Sequence, residues 1–285
     1  MNFAESDSGL VTEYQPDPVR DGLLACIDHY CDVAPRATAR VEEHGSLVLF
    51  VADHGWPFYA RPMLGRSTEP TTEEITAILD RQIELGVPRT LEWISETAPS
   101  LADAARSAGM AVHECPLLVL ESPIEPPVAE GLVRLMDADD CDLAEVNAAI
   151  DVAFGTPGTA VGEAGVDRRD EAVEAPKAAP RLDFTVDALR ACRTVRAGAF
   201  VSKIGAVGGG SHNPRGVVSE IVGVGTLPAF RRRGLARAVA YLLARHALDN
   251  GMTTVFCGAQ SSDVARVYEQ VGFRQIGTIS VAELN

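Results

Sequence analysis

The sequence predicts an α/β fold built on a mixed sheet. Strand-length apolar runs alternate with segments whose apolar residues recur at helical spacing. Early runs are joined by short polar turns, as in hairpins, and later runs by a helix, as in a βαβ crossover. The order of elements in the first half also recurs in the second.

In chain order, a helix is expected over residues 22–31. Strands follow over 46–52 and 57–63, with Asp53, His54 and Gly55 as the turn between them. The next helix runs to about Leu85: Thr71 or Thr72 caps it, Glu74 completes a capping box, and Gly86 ends it. Its residues Ile75, Ile78, Leu79 and Ile83 keep helical spacing. A strand over 90–94, a helix over 100–108 and a strand over 112–121 complete the first half, and the proline-rich stretch 122–127 reads as a linker. The division is placed at 1–124 and 125–285.

The second half opens with a strand over 131–136 and a helix over 142–154. Residues 155–180, rich in Gly, Ala, Pro and charge, read as a long mobile loop with room for a helical turn. A helix over 186–192, strands over 194–202 and 205–208, and a turn over 209–216 follow. The last elements are a strand over 217–227, a helix over 234–249, a strand over 253–258, a helix over 263–271 and a strand over 275–281. Thr90 maps onto Thr253 and Gly109 onto Gly272, a constant offset of 163 positions, which reads as a duplication.

Forty acidic residues against 25 basic ones give a formal net charge of −15. Such a chain repels phosphate backbones and anionic membranes, so neither nucleic acid nor membrane is an expected partner. Residues 1–20 lack the apolar core of a secretory signal, and no apolar run approaches the roughly 20 residues of a membrane span. A cytoplasmic setting is expected. The six cysteines form no CxxC pair, which suits reduced thiols. Cys26, His29 and Cys31 are close in sequence, but no second ligand cluster completes a metal site, so none is expected.

The chemistry-bearing stretch is Glu220-Ile-Val-Gly-Val-Gly-Thr-Leu-Pro228-Ala-Phe-Arg231-Arg-Arg-Gly234-Leu-Ala236. A strand feeds Pro228, then a basic, glycine-containing turn opens an amphipathic helix. The start of a helix offers unpaired N–H groups and partial positive charge, which suits a diphosphate. Gly234 removes the Cβ that would hold such a ligand away. Arg231, Arg232, Arg233 and Arg237 add local positive charge to an acidic chain. On chemistry alone, a solvated basic turn before an ordinary helix stands beside this reading.

Arg231-x-x-Gly234-x-Ala236 resembles the Q/R-x-x-G-x-G/A signature of the GNAT acyltransferases. Residues 261–273 resemble that family's N-x-x-A-x-x-L-Y-x-x-x-G-F segment, with Tyr268 in the tyrosine position and Gly272-Phe273 closing it. Ser261 and Val264 stand where the family has asparagine and alanine. The resemblance implies tandem GNAT-like domains, each a mixed, mostly antiparallel sheet flanked by helices, the first a degenerate copy. It implies acetyl-CoA as cosubstrate and no metal. Backbone groups of Val224, Gly225 and Thr226 would pair with the pantetheine arm. The N–H groups from Arg232 through Gly234, Leu235, Ala236 and Arg237 would hold the diphosphate, with Ser261 as a further contact. The family's strands splay into a slot here, and Gly223 and Gly225 suit either close approach or a bulge. Glu220 would be the base, against a surface glutamate at a strand end. Tyr268 would be the acid, against a packed core tyrosine.

The first half lacks this equipment: position 231 maps to Thr68 and 268 to Ala105. It is therefore expected to bind no coenzyme A and to support the sheet or shape the acceptor pocket. Trp56, Phe58, Tyr59 and Trp93 would line that pocket or fill the core. The run Gly208-Gly-Gly-Ser-His212 lacks the end of a phosphate loop and reads as a hairpin turn, and His246 as a helix residue without a catalytic role. The leading function is an N-acetyltransferase acting on a primary amine of a small molecule or peptide. A tandem transferase similar to mycothiol synthase and a non-catalytic coenzyme-A sensor are the alternatives.

Overall fold

The computed structural model describes residues 17–52, 59–121 and 125–284. The predicted turn at 53–55, and Trp56 and Phe58, lie outside the described residues, as does part of the linker, 122–124.

The first half runs α1 (Pro18–Arg36), β1 (Ala39–His44), β2 (Leu47–Ala52), β3 (Ala60–Pro62), α2 (Thr72–Leu85), β4 (Thr90–Ile94), α3 (Leu101–Ser107) and β5 (Ala111–Leu120). Helix α1 is longer at both ends than its apolar pattern predicts. Asp17 caps it by accepting from the N–H groups of Val19 and Arg20 at 3.1 and 3.2 Å, and Pro18 occupies the first turn, where no N–H is needed. The capping box at α2 is present, with Gly86 left-handed at φ 66°. Strand β1 escapes the sequence pattern because its residues are mostly half-buried or exposed and charged.

The second half runs β6 (Leu132–Met136), α4 (Leu143–Phe154), α5 (Val166–Val173), α6 (Ala178–Arg190), β7 (Val195–Val201), β8 (Gly205–Arg215), β9 (Val218–Thr226), α7 (Leu235–Asp249), β10 (Thr254–Gly258), α8 (Ser262–Glu269) and β11 (Phe273–Glu283). Two expectations are corrected here. Residues 155–180 are not one long loop: they hold α5 and the start of α6. Buried Arg169 anchors α5, donating from Nη1 to the carbonyls of Ile204 and Ala206 at 3.1 and 2.7 Å. Nor do residues 209–216 form a turn, because β8 continues to Arg215. Its glycines answer to packing: a Cβ on Gly208 would sit 2.4 Å from the Gly225 carbonyl, and one on Gly209 2.5 Å from that of Ala197.

Among the described residues, eleven strands form a single sheet in the order β1-β2-β3-β4-β11-β5-β10-β9-β8-β7-β6. The constant offset equates β4 with β10 and β5 with β11. Yet β4 pairs with β11 and β10 with β5, both antiparallel. The two halves therefore exchange their last strands, and β5 and β11 seal the exchange by pairing with each other over nearly their whole length.

The strand faces divide the core. Leu91 and Trp93 pack with α2 and α3, whereas Ile94, Leu117, Phe256 and Ile279 pack with Leu24, Ile27 and Tyr30 of α1. Trp93 is thus a core residue, 2% exposed. On the C-terminal side, α7 and α8 supply Leu235, Val239, Leu243 and Tyr268 to the largest apolar cluster.

Candidate active site

Strands β9 and β10 are parallel, and their pairing ends at Glu220 and Phe256. Beyond that point β10 stays with β5, while β9 continues to Thr226 bonded, among the described residues, only to β8. One backbone edge of β9 is therefore left without a strand partner. A register shift between β8 and β9 falls at the residues opposite Gly210, and Gly223 adopts φ 63° there, so this glycine marks a bulge. Gly225 answers to packing, since a Cβ on it would lie 2.9 Å from that of Ala153 in α4.

The divergence opens a cleft of about 1070 Å³. The whole β9 edge from Glu220 to Thr226, the turn from Phe230 to Arg237, Tyr268, and Glu92 and Cys115 of the first half all line it. At its basic end the chain passes through a 3₁₀ turn (Pro228–Phe230) and two left-handed residues, Arg232 at φ 66° and Gly234 at φ 76°. Helix α7 then starts without a side-chain cap. The N–H of Ala238 is bonded to Gly234 O at 3.0 Å, so those of Leu235, Ala236 and Arg237 precede the first helical hydrogen bond.

Each predicted diphosphate residue has its own place. Arg232 is exposed, Arg233 stacks over the Phe230 ring at 5.0 Å, and Arg237 Nη1 reaches Gln270 Oε1 at 3.4 Å. Arg231 is occupied elsewhere. Its guanidinium donates to the carbonyls of Thr226, Ala160, Ala153 and Thr156 at 3.2, 3.1, 3.0 and 2.6 Å, tying the turn to the end of α4. Gly234 is demanded first by the fold: beyond its left-handed backbone, a Cβ would meet the Val128 carbonyl at 2.5 Å. Ser261 does not line the cleft; its Oγ caps α8 by accepting from Val264 N at 3.3 Å.

Glu220 and Tyr268 share the cleft wall. Burial, reinforced by the Glu92 charge and opposed by Arg215, pushes the Glu220 pKa up to about 8. Tyr268 is 5% exposed, and burial keeps its phenol protonated well above the usual range, with the Cys257 and Glu220 charges adding to the shift. Among the described residues its hydroxyl has no hydrogen-bond partner. His212 and His246 lie away from the cleft. His212 Nδ1 contacts Ser219 Oγ at 2.8 Å and its Nε2 contacts His246 Nδ1 at 2.9 Å, and burial plus the neighbouring ring push the His212 pKa down to about 4.

Sequence reading missed Glu92. The available signal was a carboxylate in the middle of the strand Thr90-Leu-Glu-Trp-Ile94, where a solvated charge is out of place. Its own pKa is pushed up to about 7 by burial, while Arg61 and a hydrogen bond from Tyr59 pull it down.

Residues 168–273 match the acetyltransferase (GNAT) family. No curated protein matches the sequence. Among solved structures, a GCN5-related N-acetyltransferase from Kribbella flavida superposes with a TM-score of 0.63 at 17% identity, covering 92% of this chain and 96% of that one. One from Sphaerobacter thermophilus gives 0.59 at 16% identity, over 95% and 96%. A tandem GNAT protein from the clavulanic acid biosynthesis pathway gives 0.51 at 14% identity, over 83% and 78%. Most of the open slot, the uncapped helix and the matched segment lie in the same half of the sequence, and the fold of the whole chain is similar to that of tandem GNAT-like domains.

Proposed function

We propose that the protein transfers an acetyl group from acetyl-CoA to a primary amine of a small molecule or peptide, by direct attack of the amine on the thioester. One observation carries this reading: the unpartnered edge of β9 leads straight into the uncapped start of α7. That continuity fits an extended pantetheine arm ending in a diphosphate. The strand edge at Val224, Gly225 and Thr226 offers backbone groups to the arm. The N–H groups of Leu235, Ala236 and Arg237 offer the diphosphate a helix start, with Arg232, Arg233 and Arg237 supplying charge in an otherwise acidic chain. The turn preceding the helix completes the cradle, and Arg231 holds it in shape from behind.

Acetyl-CoA supplies an activated acetyl thioester. The protein's task is to move two protons. Glu220, when ionised, takes a proton from the acceptor ammonium and leaves a neutral nucleophile. Tyr268, held protonated in the same cleft, gives its proton to the departing sulfur. The same dry surroundings raise the basicity of a thiolate, which helps that transfer.

Calorimetric titration of the full chain with acetyl-CoA and with free coenzyme A tests the assignment. Micromolar binding of both is expected, together with thiol release on adding a primary amine. Absence of heat with both nucleotides would overturn it, and binding without thiol release across a broad amine panel would leave a sensor rather than an enzyme. Tyr268→Phe is expected to lower kcat by roughly 10- to 1000-fold while cofactor affinity changes little.

A further inference from the structure

The cleft has two ends of opposite character. Its lining arginines all belong to the turn and start of α7 or to α8. The other end is built from strands of both halves, with Glu92 on β4, Ile279 and Val281 on β11, Cys115 on β5 and Glu220 on β9. In the sheet β4 and β9 flank β11, β5 and β10, so an apolar floor separates the two carboxylates. Among the described residues, neither Glu92 nor Glu220 forms a salt bridge.

Glu92 is held from behind. Tyr59 hydrogen-bonds to it. Beneath it lies Arg61, 1% exposed and paired with Asp28, whose Nε and Nη1 have no partner. Arg61, Glu92 and Cys31 line a common cavity of about 10 Å³. The carboxylate is thus braced on one side and open to the main cleft on the other.

From this arrangement we infer that the acceptor is a dicationic amine, such as an aliphatic diamine, lying over the Cys115–Ile279–Val281 floor with its reacting nitrogen at Glu220 and its second ammonium on Glu92. The inference rests on the acetyl-transfer reading and adds the acceptor's charge class. A monocation would pair with one carboxylate and leave the other to hold its proton with no cationic partner. An acceptor with a distal carboxylate would set that group against Glu92. In the transfer, the reacting ammonium gives one proton to Glu220, the C–N bond forms, the C–S bond breaks, and the nitrogen loses its second proton to solvent as the amide forms. Tyr268 protonates the thiolate and is itself reprotonated from solvent. The second ammonium stays on Glu92 unchanged.

The test is calorimetry of the full chain with 1,4-diaminobutane, butylamine and 4-aminobutyrate, each with and without coenzyme A. The diamine is expected to bind at least about tenfold more tightly than butylamine, with 4-aminobutyrate weakest. Glu92→Gln should bring the diamine to within about twofold of butylamine, and retained coenzyme A affinity would show that the variant is folded. Equal affinities for diamine and monoamine in the wild type, no diamine binding, or an undiminished diamine advantage in Glu92→Gln would each overturn the inference. Failure of coenzyme A to bind would instead sink the acetyl-transfer reading, because the titrations without coenzyme A read the Glu92 site by themselves.

Discussion

Glu220 makes opposite demands on stability and on catalysis. With its pKa pushed to about 8, the carboxyl is protonated in the folded protein at pH values where an unfolded chain would already be ionised. That raised value contributes stability below about pH 4.5, and the contribution fades as pH climbs towards 8. Glu220→Gln should therefore melt roughly 2–4 °C above the wild type at pH 9, with little difference at pH 4, read by thermal denaturation at both values. Catalysis runs the other way, since a base works ionised. Wild-type kcat/KM should rise with pH and level off above about 8, while Glu220→Gln should lose about 100-fold and the rise with it. A rise that survives the substitution would assign the base elsewhere. The arginines of the turn separate just as cleanly. Arg231→Ala strips hydrogen bonds from four carbonyls and should lower Tm by roughly 4–8 °C. Arg232→Ala, at an exposed position, should leave Tm in place while weakening coenzyme A binding and its salt dependence. Sequence reading grouped these two side chains as equal cations. What separates them is the position of the carbonyls at the end of α4, and the tertiary fold fixes that.

Elements with local signatures were legible. Helix α2 carries its start and stop in Thr71, Glu74 and Gly86, and β4 is a short β-rich run between turns, with Glu92 at its middle. Elements whose stability comes from neighbours were not. Strand β8 is rich in glycine because other backbones crowd it, and α5 is fixed by an arginine reaching carbonyls more than thirty residues away. The strand exchange belongs to the same class, because the repeat reveals two similar units without revealing which β-strand closes which sheet. It carries its own prediction. Residues 1–124 and 125–285 expressed separately each lack the partner strand that β4 or β10 uses here, so each should be poorly soluble. Expressed together, they should copurify as one complex. A soluble 125–285 fragment that binds acetyl-CoA with wild-type affinity would mean that β11 readily closes its own half, and that the exchange adds little.

At the scale of the molecule, the exchange turns two units of sequence into one sheet with α1 laid across its centre. Leu24, Ile27 and Tyr30 pack on residues from both halves, including Ile94 and Leu117 of the first and Phe256 and Ile279 of the second. The cleft draws its basic end from the second half alone and its acidic end from both. Neither half can lose its packing without uncovering apolar surface and unpaired strand edges in the other, so unfolding should be cooperative. Differential scanning calorimetry of the intact chain should show a single transition, with the van't Hoff enthalpy matching the calorimetric one. A ligand held only in the second half should then shift that whole transition. Acetyl-CoA at 100 times its Kd contributes about 2.7 kcal/mol. Over a chain of 285 residues that corresponds to roughly 4–5 °C. Two resolved transitions, of which acetyl-CoA moves only one, would show that the shared sheet does not couple the halves. The first half would then be scaffolding that can melt apart from the transferase rather than a wall of its acceptor site.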